Sequence, residues 1–192
     1  ATQPNAPAES WMVLTFDRVG ALQAVEVDER LLSAPPLIQR TVLLHELEHL
    51  KWATETRRQL NRYLEAPISA AGLAASVRRI VRTLVEDECR AYRRDMLSIL
   101  ETVAAHGGLE RYLAGLASSQ RAPTAQFYRS HVQPFLTPDG DLDEQKLRRD
   151  LVFFETFRHR YPAYYEAALW LEALEGRRLR ESGAFLAWLS PE

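Results

Sequence analysis

The stretch Thr41-Val-Leu-Leu-His45-Glu46-Leu47-Glu48-His49-Leu50 carries two histidines four residues apart, with a glutamate directly after the first. On an α-helix, residues i and i+4 lie one turn apart on one face, so both imidazoles can reach one metal ion. The surroundings read as helix: Leu37, Ile38, Val42, Leu43, Leu44, Leu47 and Leu50 recur at helical spacing. Pro35-Pro36 suits a first turn, and the helix runs to about Leu64 before Pro67, or bends soon after Trp52. Glu46 points to the side of the histidine face. From there it can take a proton from a water activated by the metal and pass it to a leaving amine. Two imidazoles and a carboxylate, with water in the fourth position, suit Zn²⁺. The competing reading is two solvent-facing histidines on a charged helix, because so short a motif also arises by chance.

Working outward, a second long helix spans about Ala70 to Ala105 and stops at Gly107-Gly108. Its apolar positions Val77, Ile80, Val81, Leu84, Val85, Ala91, Tyr92, Met96 and Ile99 define one face. At about 100° per residue Glu88 falls near the centre of that face, Glu86 roughly 160° away toward solvent, and Asp95 about 20° from Glu88. A carboxylate at the centre of an apolar face costs free energy unless something compensates it, and a metal ion would do so. Glu88 is therefore the candidate third ligand; a buried glutamate paired to a core arginine is the alternative. Asp95 is the candidate partner for the other ring nitrogen of a ligating histidine. Its alternative is a helix-surface salt bridge to Arg90 or Arg94.

On these residues the chain resembles the HExxH zinc metallopeptidases, and within them the compact, minigluzincin-like bacterial members. The resemblance covers roughly residues 11–100. The metzincin branch has a glycine and a third histidine soon after the second, where this chain has Trp52 and Glu55. The gluzincin branch takes its third ligand from a glutamate on the later helix, often with a small residue three positions on, as Glu88 and Ala91 stand here. The resemblance implies a zincin-like fold, with a twisted sheet before the motif helix. It implies a zinc ion on His45, His49 and Glu88, Glu46 as general base, and hydrolysis of a peptide or protein substrate. It also implies a donor for the developing oxyanion from a later segment. Phe127-Tyr128-Arg129-Ser130-His131 is one cluster that offers such a donor. The denser cluster, Phe157 to Tyr165, is preferred, with His159 and Tyr161 or Tyr164 as candidates. An inactive relative that keeps the metal for structure or regulation is the alternative function. A di-iron carboxylate bundle is a third reading, since Glu46-Leu-Glu-His49 is also Glu-x-x-His, although no second copy exists.

The rest of the chain frames this core. Trp11–Phe16 and the alternating Leu22–Val27, around turn-forming Asp17–Gly20, read as a half-buried β-ribbon. Beyond Gly108, helices are expected at about 109–118, 123–135, 142–159, 162–175 and 179–189, punctuated by Pro123, Pro134, Pro138, Pro162 and Gly183. The fold class is thus mainly α with a small β element, that is, α+β. Residues 1–10 form a flexible lead-in, 11–105 the zincin-like core, and 106–192 a helical part packed on the same domain. The lead-in is either the end left after signal-peptide removal, implying an exported protein, or the trimmed end of a cytoplasmic one. With 192 residues and 46% hydrophobic side chains, the chain can bury a core without staples. The 24 basic and 26 acidic side chains nearly balance, which gives no long-range pull toward nucleic acid. No apolar run reaches the roughly 18 residues of a membrane span. Cys89 is the only cysteine, which excludes an internal disulfide or a cysteine-zinc cluster. It reads as a small buried hydrophobe rather than a nucleophile.

Overall fold

The computed structural model describes residues 11–17, 19–64 and 70–149. Strands β1 (Met12–Phe16) and β2 (Leu22–Val27) pair antiparallel, Met12 opposite Val27 and Leu14 opposite Val25, with an irregularity between Thr15 and Phe16. The Asp17 carboxylate closes the turn by accepting from the backbone N–H groups of Val19 and Ala21, each at 2.9 Å. Gly20 follows with φ +88°, and it touches the motif helix so closely that a Cβ there would sit 2.6 Å from the Thr54 Cα. The ribbon is less buried than its alternation suggests. β1 turns Met12, Leu14 and Phe16 inward, whereas every residue of β2 is exposed.

A short helix α1 (Glu29–Ser33), capped by the Asp28 side chain, precedes the motif helix and was not foreseen from the sequence. The motif helix α2 (Pro36–Leu64) is unbroken past Trp52, and α3 (Ala70–Ala105) lies against it. The two run antiparallel: His45 meets Asp95, while His49, one turn later, meets the earlier Asp87. Both helices bury an apolar stripe on the other, as amphipathic helices must. Val81 and Ala91 on α3 are fully buried, and Leu37 and Ile38 on α2 nearly so.

The later elements are α4 (Leu109–Ala114), α5 (Ser118–His131), a 3₁₀ turn at Gln133–Phe135, and α6 (Glu144–Arg149). α4 ends earlier than 118. α5 begins before Pro123, with the proline inside it and buried Thr124 and Ala125 following, so tertiary packing outweighs the lost backbone donor. The expected helices at 162–175 and 179–189, and the end of the one at 142–159, lie outside the described residues. One core cluster joins Leu37, Ile99, Val103, Tyr112 and Val132, and thus α2, α3, α4 and the end of α5. Met96, Phe135 and Leu147 form a second cluster. Among the described residues the fold is mainly helical with one two-stranded sheet, and no described helix is long and apolar enough to cross a membrane.

Candidate metal centre

The unbroken α2 places His45 and His49 on the face that meets α3, and the apolar periodicity of α3 places Glu88 opposite them. His45 Nε2 and His49 Nε2 are 3.2 Å apart, and each is 3.7 Å from Glu88 Oε2. Ligand atoms held tetrahedrally at about 2.0–2.1 Å from one ion lie roughly 3.3 Å apart. The three atoms therefore already stand near the separation that a single cation imposes, and this group could hold a metal ion. The site is well covered: His49 is 6% and Glu88 2% exposed.

The other nitrogen of each ring is held by an aspartate. His45 Nδ1 lies 3.0 Å from Asp95 Oδ2, and His49 Nδ1 lies 2.7 Å from Asp87 Oδ2. A proton on each Nδ1 donates to its carboxylate, which leaves the Nε2 lone pairs directed at one point. Asp95, 1% exposed, is thus no helix-surface salt-bridge partner of Arg90 or Arg94. Asp87 escaped the sequence reading. Its signal was the antiparallel packing: a second ligating histidine one turn further along α2 needs an acceptor earlier on α3. Asp87 is itself fixed, with its Oδ1 accepting from Arg90 Nη2 at 2.9 Å and from Thr56 Oγ1 at 3.3 Å.

The electrostatics follow from burial and these bonds. Burial works against a charged His45, but the hydrogen bonds of Asp95 and then Glu88 outweigh it, so the metal-free imidazole is raised to about 9. His49 is raised in the same way, with Asp87 and then Glu88 prevailing over burial. Burial would raise Asp87, yet His49 and Arg90 hold it below the usual carboxylate range. The site thus attracts positive charge where the three atoms converge. Burial, reinforced by Glu86, pushes the Cys89 thiol up to about 12, far from a reactive thiolate.

Glu46 is 5% exposed, and its Oε2 is buried without a hydrogen-bond partner among the described residues. A buried carboxylate oxygen left without a partner is costly, and its retention beside the histidines calls for an explanation. Glu46 does not belong to the converging group, and no second metal-ligating group of three lies among the described residues, so nothing here favours a two-iron site. His131, at the end of α5, approaches the centre from outside. Its Nε2 is 3.4 Å from Asp95 Oδ1, and its ring stacks on Phe127. It thus meets Asp95, the carboxylate behind His45, and is not one of the three converging residues. His159, Tyr161 and Tyr164 lie outside the described residues. Comparison of the chain with protein-family models, curated proteins and solved structures finds no match.

Proposed function

We propose that the chain is a zinc-dependent metallopeptidase of the gluzincin type, acting on peptide or protein substrates. His45, His49 and Glu88 hold the zinc, and Glu46 is the general base. The observation that carries this reading is the convergence of His45 Nε2, His49 Nε2 and Glu88 Oε2 on one point, with both Nδ1 atoms tied to aspartates. Two neutral nitrogens and one carboxylate oxygen favour a borderline cation such as Zn²⁺ over Mg²⁺ or Ca²⁺, which prefer oxygen. Bound there, zinc would supply Lewis acidity toward a peptide carbonyl and a water. Glu46, the next residue after a ligand, takes the proton of that water and returns it to the departing amine. Its unpartnered Oε2 supports this role, since a base needs a free lone pair.

The test is Glu46→Gln. The variant should keep the metal and lose peptide hydrolysis by about 100-fold or more, as expected for loss of a general base. Full activity in the variant would sink the mechanism. One observation favours a second reading, an inactive relative that keeps the metal for structure or regulation: the ligands and Glu46 are nearly all covered. In that case the wild-type protein binds metal with the same ligands but cleaves no peptide.

A further inference from the structure

A groove of about 240 Å³ opens between α2 and α3 on the Asp87 side of the metal centre, with Trp52 and Tyr63 on one wall and Arg79, Arg82 and Arg90 on the other. Two carboxylates also line it, but both are engaged. Glu86 accepts from Arg148 through both oxygens, and Glu55 accepts from Arg58 and Gln59. The three arginines are less well matched. Arg90 donates to Asp87 and lies over the Trp52 ring at 5.1 Å. Arg79 lies over the Tyr63 ring at 5.9 Å. Arg82 has no ion pair and no acceptor among the described residues, and the Nε atoms of Arg82 and Arg90 are both buried without a partner. Arg79 and Arg82 are three residues apart and so share one side of α3. The groove therefore carries positive charge that its own carboxylates do not neutralise, in a chain whose net charge is −2.

We propose that this groove is an anion-binding site for a small dianionic oxyanion, held by Arg79 and Arg82 with Arg90 at its edge. Guanidinium groups present paired N–H donors that match carboxylate and phosphate oxygens, and their rigid fork makes such contacts stronger than those of lysine. Aromatic walls add a surface for the uncharged part of the ligand. A phosphate ester and a dicarboxylate share this chemistry. The site lies back to back with the metal centre, because Arg90 and Thr56 border the groove and both bond Asp87 Oδ1. It does not depend on the metallopeptidase reading.

Isothermal titration of the full chain with inorganic phosphate and, separately, with succinate at low ionic strength tests it. One anion per chain should bind with a Kd of about 1 mM or tighter. Arg82→Gln should weaken binding roughly tenfold or more, as expected for a lost charge-assisted hydrogen bond. Arg79→Ala, at an exposed position, should weaken it too and serves if the Arg82 variant fails to fold. Binding of phosphate alone assigns a phosphate ester, and binding of succinate alone assigns a dicarboxylate. Failure of both anions to bind overturns the proposal, as does binding that Arg79→Ala leaves unchanged.

Discussion

Asp87 offers the sharpest perturbation, because it touches the centre only through His49. Its Oδ2 lies 2.7 Å from His49 Nδ1, a short charge-assisted contact on a histidine that is 6% exposed, so solvent screens it little. Removing such a carboxylate behind a metal-bound histidine costs about 10–100-fold in affinity, or about 1.4–2.7 kcal/mol. Asp87→Asn keeps one oxygen that can accept from Nδ1, but it loses the charge and turns an amide NH₂ toward the Arg90 and Thr56 donors. Its loss should fall near about tenfold. Asp87→Ala removes the acceptor altogether and should approach about 100-fold. Glu48→Gln is the control: Glu48 precedes His49 directly but bonds Trp52 Nε1, away from the ligands, and its loss should leave affinity unchanged. The assay is competition for zinc against a chromophoric chelator at fixed pH, with circular dichroism to show that each variant is folded. Equal affinities for wild type, Asp87→Asn and Asp87→Ala would refute the claim that Asp87 orients a metal ligand.

Other consequences are open to direct measurement. Gly20→Ala combines a left-handed backbone, worth of order 1–3 kcal/mol when forced on a non-glycine residue, with a Cβ 2.6 Å from the Thr54 Cα. Its melting temperature should fall by several degrees, and an unchanged value would show that the ribbon does not dock there. Ile99→Ala opens a cavity in the core cluster of Leu37, Val103, Tyr112 and Val132 and should cost about 2–5 kcal/mol in denaturant unfolding, whereas a loss below about 1 kcal/mol would contradict the packing. In chelator-stripped protein, His45 has its folded pKa raised from 6.5 to about 9. The folded state then binds the extra proton, so this stabilisation is complete below about pH 6.5 and is lost as pH rises through about 9. Thermal melts of stripped protein should show stability falling across that window, and a rise would contradict the sign.

Much of the site was legible because two periodicities coincide. The i, i+4 spacing of His45 and His49 and the apolar stripe of α3 each point to one face, and Glu88 and Asp95 fall on that face in the structure. Asp87 was missed because it flanks the stripe, and its partner becomes apparent only when the helices are placed antiparallel. The alternation of Leu22–Val27 predicts a half-buried ribbon, yet burial depends on a covering layer. α2 backs β1, while β2 is left exposed along its whole length. Pro123 suggested a helix start, but Thr124 and Ala125 pack well enough for α5 to begin at Ser118. Helix α1 is one turn long, too short for any periodicity to reveal, and only the Asp28 cap marks it.

The central claim is that His45, His49 and Glu88 hold one metal ion. Its most direct test is the metal content of protein purified without added metal, by mass spectrometry, beside a His49→Ala control. About one zinc per chain in the wild type, lost in the control, is the expected result for a site of this ligand set. No metal in either sample, even after zinc is offered, would contradict the account and leave the paired histidines as an ordinary feature of a helix interface.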